Sequence, residues 1–262
     1  MNNKGLKKAL LIGINYIADP NNKLEGCIND VLSINKQINK FYPKCTNIKI
    51  LTDDIPNPAL LPTKKNILNA INWLVSDLKP GDNVYFHYSG HGGLIKDTNG
   101  DEISKMDSCI FPICKNNIEV ILDDELKALL SNKIPKGCKC FAVLDSCHSG
   151  SGLDLKYNIN CPSYGTITIK QDNKQTVTNG SVILLSGCMD TQTSADTVNN
   201  FGIPSGALTN ALLDVWTTYG VNIKLKHLLW NIRKLLESRG YTQIPQLSCG
   251  NNLNIDSIFN LN

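Results

Sequence analysis

Val84-Tyr85-Phe86-His87-Tyr88-Ser89-Gly90-His91-Gly92-Gly93 is an apolar run that breaks abruptly into glycines around a histidine. Its first half reads as a buried strand, and the small residues after it let the chain turn sharply at the strand's carboxyl end. The same grammar returns where Phe141-Ala142-Val143-Leu144 leads into Asp145-Ser146-Cys147-His148-Ser149-Gly150. Working outward, short apolar runs at 9–14, 48–51 and 182–185 read as further strands, and a last strand is expected over 244–247. Helical spacing fills the gaps between them. Val31, Ile34 and Ile38 share one face, and Thr63 can cap a helix carrying Ile67, Ile71, Leu74 and Leu78 before Pro80-Gly81 stops it. Residues 124–130 and 208–216 read as shorter helices, and Leu225, Leu228, Leu229, Ile232 and Leu236 mark a longer one ended by Gly240. Strand, helix and strand in alternation predict a three-layer α/β/α fold with a largely parallel central sheet, because parallel neighbours need long crossovers. One domain over 1–262 is expected, with no prodomain before the first strand. Residues 155–180, rich in Asn, Thr, Gly and Lys, interrupt the rhythm and read as a long surface loop with room for one β-hairpin.

Composition narrows the function. Hydrophobic residues make up 42% and charged residues 19%, as in ordinary globular proteins, so disorder and fibrous structure are excluded. A net charge of +3, with basic residues scattered along the chain, argues against nucleic acid as a partner. No apolar run has the length of a membrane span, and the start is too short and polar for a secretory signal. The ten cysteines, in a chain far longer than small disulfide scaffolds, are expected as reduced thiols in a cytoplasmic setting. No CxxC pair speaks for structural zinc. Cys45, Cys138, Cys140 and Cys249 read as small buried apolar side chains.

In open parallel sheets, ligands gather at the carboxyl ends of strands, and two such ends carry His91 and Cys147. A cysteine and a histidine brought together there suit nucleophilic catalysis: a thiolate attacks a carbonyl and the imidazole passes the proton to the leaving group. Backbone N–H groups near Cys147 and Gly92 are candidates for binding the oxyanion. His87, inside its strand, reads as a core histidine, and His148 as structural. Asp145 and Asp30 can face one pocket and hold a substrate cation through charge-assisted hydrogen bonds. From spacing alone, caps for a helix or a turn explain these two aspartates equally well.

Several separated stretches then point the same way. Tyr88-Ser89-Gly90-His91-Gly92, Asp145-Ser146-Cys147-His148-Ser149-Gly150, Gly26-Cys27-Ile28-Asn29-Asp30-Val31, Ser186-Gly187-Cys188-Met189-Asp190 and Gln192-Thr193-Ser194-Ala195-Asp196 stand in the order found in type I metacaspases, a family this sequence resembles from its first strand to about Ala211. Caspase-like peptidases place the histidine about 50 residues before the cysteine, close to the interval between positions 91 and 147. The resemblance implies a cysteine endopeptidase cutting after Arg or Lys in protein or peptide substrates, with a pocket at Cys27, Asp30, Ser89 and Asp145. It also implies calcium, held by Asp107, Asp123, Asp124 and Asp154, although on sequence alone Asp123 and Asp124 read as a helix cap and a first-turn acid. Cys114 and the stretch Glu102-Ile103-Ser104-Lys105-Met106 depart from the family's more acidic pattern and imply weak affinity. Asp97-Thr98-Asn99-Gly100-Asp101-Glu102 lacks a full EF-hand pattern and reads as an exposed turn. A monomer is implied, and autoprocessing at Lys156, Lys170 or Lys174 is a hypothesis. The alternatives are a catalytically silent caspase-like interaction module and an enzyme that cuts after Asp.

Overall fold

A computed structural model describes residues 5–96, 106–114, 118–147, 149–150, 152–163, 166–172, 175, 177–187, 196–198, 202–258 and 261. His148, Lys174, Cys188 and the stretches 97–105 and 188–195 fall outside these, as do the expectations placed on them.

The chain runs β1 (Gly5–Gly13), α1 (Cys27–Phe41), β2 (Asn47–Thr52), α2 (Lys64–Val75), β3 (Asp82–Ser89), β4 (Gly92–Lys96), β5 (Met106–Ile110), β6 (Ile121–Leu122), α3 (Asp123–Leu129) and β7 (Lys139–Asp145). It continues with β8 (Tyr157–Ser163), β9 (Thr166–Gln171), β10 (Ser181–Ser186), β11 (Asp196–Val198), β12 (Pro204–Gly206), α4 (Ala207–Tyr219), α5 (Leu225–Ser238) and β13 (Gln246–Cys249). The main sheet has the order β2-β1-β3-β7-β10-β13-β8-β9. Strands β2, β1, β3, β7 and β10 are parallel, and β13, β8 and β9 add to one side in antiparallel fashion. Strands β4, β5 and β6 form a small separate sheet.

The period-two alternation of the strands sorts the core into two layers. Tyr85, Phe141, Val143, Ile183 and Leu185 pack against α1, α4 and α5, while Phe86, Tyr88, Ala142, Leu144 and Leu184 pack with Ile67, Ile71 and Leu74 of α2 and Leu126 of α3. Thr63 caps α2 as expected, its side chain accepting from the Asn66 N–H at 3.3 Å. That helix stops at Val75, before Pro80-Gly81 is reached.

The stretch read as a long loop with room for one β-hairpin holds that hairpin, β8 paired with β9, and it is no free loop, for it extends the main sheet through β13. Ile159 and Cys161 are buried, and polar residues alternate with them on the outer face, so the mean hydropathy of the segment hides its strand character. Arg233 of α5 fastens this side of the sheet. Its guanidinium donates to the carbonyls of Cys161 and Pro245, both at 2.6 Å, and to Asn160 Oδ1 at 2.7 Å.

His87 is a satisfied core histidine, as expected. It is fully buried on the α4 side, 3.2 Å from the Tyr85 hydroxyl and 3.3 Å from the Thr209 hydroxyl. Burial pushes its pKa down to about 3. The unfolded chain takes up a proton below about pH 6.5 that the folded chain refuses, so stability falls as pH drops through that window. Relative to wild type, His87→Gln should therefore gain stability as pH falls from 6.5 toward 4, by up to about 1.4 kcal/mol per pH unit. Urea unfolding at three pH values checks this, and a pH-independent difference would refute it.

Candidate active site

Parallel pairing of β3 with β7 sets Ser89 beside Asp145. His91 and Cys147 each lie two residues further on, at neighbouring strand ends. The two turns are in contact: a Cβ built on Gly92 would meet the Cys147 carbonyl oxygen at 2.2 Å and the Ser146 Cβ at 3.0 Å. Glycine at 92 is thus a condition for the histidine turn to lie against the cysteine turn. Both side chains are partly exposed, as a site open to substrate requires.

The imidazole is held on two sides. Its Nε2 lies 2.7 Å from the Asn22 carbonyl oxygen. A carbonyl can only accept, so Nε2 carries a hydrogen, and in the neutral ring the lone pair is on Nδ1. The Tyr16 ring packs on the imidazole with centroids 4.5 Å apart. The Tyr16 hydroxyl accepts from the His91 N–H at 2.9 Å and donates to the Phe111 carbonyl at 2.7 Å, and Tyr88 donates to the His91 carbonyl at 2.7 Å. Neither Tyr16 nor Asn22 was expected from sequence. A tyrosine and an asparagine in a polar turn carry no motif, and the Asn22 contact is made by its backbone.

The other four pocket candidates gather on the α1 and α4 side of the sheet. Asp30, fully buried in the first turn of α1, accepts from Ser89 Oγ at 2.5 Å, Ser205 Oγ at 2.6 Å and the Gly206 N–H at 2.9 Å. Asp145 accepts from the Thr209 N–H at 2.8 Å. A Cβ on Gly206 would meet Asp145 Oδ2 at 2.2 Å and Asp30 Oδ2 at 2.8 Å, so both carboxylates press on that one glycine. Cys27, also buried, begins α1 one turn before Asp30. Burial first, and then the neighbouring Asp145, raise Asp30 to about 7, against the hydrogen bonds from Ser205, Ser89 and Gly206. Of the two readings left open by spacing, the capping one is seen directly: both aspartates accept backbone N–H bonds at the amino end of α4, where they lie side by side against Gly206. Ser205, Gly206 and Thr209 went unread, although Pro-Ser-Gly ahead of an apolar helix is a turn-and-cap signal.

The four aspartates expected for calcium lie on the opposite side. Asp107 sits in β5, Asp123 and Asp124 open α3, and Asp154 lies seven residues after Cys147. Asp107, Asp123 and Asp154 are all buried. Asp123 Oδ2 accepts from the Ser108 N–H at 2.8 Å and Oδ1 from the Asp124 N–H at 3.0 Å. Leu122, not Asp123, is the N-cap of α3. Oxygen donors suit a hard cation. Their spacing is not that of a formed cage, for among the described residues no three His, Cys, Asp or Glu side chains stand close enough to hold a metal ion. Among the described residues nine cysteines are free thiols, and no helix is long and apolar enough to cross a membrane.

Residues 7–156 match the family profile described as "Metacaspase, peptidase C14 domain". The chain is 37% identical to Metacaspase-1 of Schizosaccharomyces pombe over 97% of its own length and 69% of the relative's. It is 36% identical to Metacaspase-1 of Mycosarcoma maydis (98% and 73% covered) and 37% identical to Metacaspase-1B of Aspergillus terreus (97% and 78% covered). Protein GSU0716 from Geobacter sulfurreducens, a crystal structure, shares the fold with a TM-score of 0.68 at 23% identity, with 95% of each chain covered. With the profile matched over more than half its length and such relatives along nearly all of it, the chain belongs to the metacaspases and is a cysteine-type peptidase.

Proposed function

We propose that the protein cleaves peptide bonds after Arg or Lys, with Cys147 as nucleophile and His91 as its base. The observation that carries this reading is the buried Asp30 and Asp145 pair beside the two strand ends, where a substrate cation would relieve the burial of two carboxylates. His91 Nδ1 takes the Cys147 proton, and the sulfur attacks the carbonyl carbon of the scissile bond. The resulting oxyanion meets backbone N–H groups at Gly92 and Cys147. As the C–N bond breaks, His91 returns the proton to the leaving amine, and a thioester remains on Cys147. Water, deprotonated by His91, then hydrolyses the thioester and frees the thiol.

The substrate's guanidinium or ammonium reaches Asp145 and Asp30 between Ser89, Ser205 and Gly206, with Cys27 forming part of the wall. A cation there favours ionised Asp30, which lone burial opposes. Calcium enters as a proposed activator, with Asp107, Asp123, Asp124 and Asp154 drawn together as its ligands. When bound, it would supply positive charge to three buried carboxylates. The free thiols support a reducing, cytoplasmic setting. A monomer is supported by β9, a short exposed edge strand carrying Lys170, because charge on an edge discourages strand pairing. Lys170, exposed on that strand, is a better candidate for autoprocessing than half-buried Lys156.

Cleavage of an Arg-ending fluorogenic peptide should require Cys147 and be lost on chelation. Wild type incubated with calcium should yield two fragments, while Cys147→Ala stays intact. Activity that survives chelation removes the metal and keeps the peptidase; absence of activity on Arg and Lys peptides removes the specificity. A second prediction concerns the pocket's charge. Asp30 is raised in the fold, so its contribution to stability is present below about pH 4 and is lost as pH climbs through about 7. Asp30→Asn should abolish the decline in thermal stability between about pH 4 and 7 and lower kcat/KM on Arg peptides about a hundredfold. A variant with wild-type kcat/KM would show that Asp30 is only a cap.

A further inference from the structure

The turn that follows β1 holds an outlier. Tyr16 has φ 52°, a left-handed conformation that large side chains rarely adopt. Such a backbone persists only where its surroundings over-determine it. Beside the bonds of the Tyr16 hydroxyl, a carboxylate from a different part of the chain does so. Asp53, just past β2, accepts from the Asn15 N–H through Oδ1 at 2.9 Å and from the Ile17 N–H through Oδ2 at 2.8 Å. One side chain thus grips the peptide groups on both sides of Tyr16.

What this grip fixes is the surrounding of His91. Tyr16 lays its ring on the imidazole and its hydroxyl under the His91 N–H. From the Tyr16 carbonyl a ladder of turns leads onward: Asp19 N–H donates to Tyr16 O at 2.9 Å, and Asn22 N–H donates to Asp19 O at 3.1 Å. Asn22 in turn presents the carbonyl that holds His91 Nε2. Leu24 N–H closes the turn on Asn15 O at 2.9 Å. Residues 17–23 are exposed, so little packing substitutes for these bonds between buried Tyr16 and Asn22.

We propose that Asp53 is a positioning residue for the peptidase reaction: by clamping Tyr16 in its left-handed conformation it holds the Asn22 carbonyl and the Tyr16 ring against His91, and so keeps the imidazole in the orientation and tautomer that the reaction needs. This rests on the reading of His91 as the base. Asp53 itself touches neither substrate nor reacting atoms. Its loss lets Tyr16 relax to an ordinary backbone conformation, swings Asn22 away and leaves the imidazole free to rotate and change tautomer. Thiolate formation at Cys147 then loses its partner, while the pocket at Asp30 and Asp145, on the other face of the sheet, is untouched.

The test uses the full chain with Asp53→Ala and Asp53→Asn, exposed Asp54→Ala as a control, and Cys147→Ala and His91→Ala as references. On an Arg-ending peptide, Asp53→Ala should lower kcat by about tenfold to a hundredfold, within the range for general-base catalysis, with KM changed less than about twofold. The pH midpoint for iodoacetamide alkylation of Cys147, read by mass spectrometry of its peptide, should move from the wild-type value to that of His91→Ala. Asp54→Ala should match wild type in both. Asp53→Asn keeps the side chain's size and one acceptor, and should fall between wild type and alanine; it carries the test if the alanine variant does not fold. A folded Asp53 variant with wild-type kcat and alkylation midpoint would overturn this proposal alone. Full activity in Cys147→Ala would overturn the peptidase reading, and the proposal with it.

Discussion

Two buried carboxylates set against the amino end of α4 hold this site together. Taking Asp30 and Asp145 out of water costs several kcal/mol each unless something answers their charge. The answer is assembled from three places: Ser89 on β3, Ser205 and Gly206 on β12, and the first-turn N–H of Thr209. A helix amino terminus offers unsatisfied N–H groups and roughly half a positive charge, so α4 and the aspartates complete one another. Gly206 in β12 has no freedom to be another residue, since any Cβ would enter the carboxylates. One interaction therefore joins α1, β3, β7 and α4. Asp30 still sits near neutrality at physiological pH, which marks the compensation as partial and leaves an appetite for a cation.

Much of the fold was legible because strand period and helix period are local signals. The β3 run could be read as a buried strand from its apolar residues alone, and Thr63 could be read as a cap from its place ahead of an apolar stripe. The antiparallel side was legible only in outline, as a last strand and room for one hairpin, and its joining to the main sheet was not. Strand β8 buries Ile159 and Cys161, β9 is mostly exposed, and β8 is held by Arg233, whose carbonyl partners lie 72 and 12 positions away along the chain. Nothing local announces such a link, and polar composition then reads as loop.

The site divides in the same way. His91, Cys147 and Asp145 follow recognisable strands, and β3–β7 register then sets their mutual places. Alternation also predicts that Ser89 and Asp145, two residues beyond His87 and Val143, share the α4 face. What escaped is whatever acts through backbone: the carbonyl of Asn22, the N–H of Gly206 and the paired N–H groups that Asp53 grips. A backbone group is present at every position, so no residue type marks the one that matters. Three-dimensional placement alone distinguishes it.

The sheet separates two tasks that a protease must perform together. On the α1 and α4 face lie the buried carboxylates of Asp30 and Asp145. Tyr88, on the other face, reaches the His91 carbonyl and lies 3.2 Å from the Tyr16 hydroxyl, in the layer that also contains α2 and α3. Parallel strands make this division cheap, because consecutive residues at a strand end point to opposite sides while the backbone between them stays rigid. Ser89 can serve the pocket and Tyr88 the imidazole with a single peptide bond between them. Asn15 spans the division, capping α1 by accepting from the Ile28 N–H while its own N–H is held by Asp53. The turn that packs on His91 and the amino end of α1 thus meet at Asn15, the turn held through its backbone N–H and the helix end through its side chain.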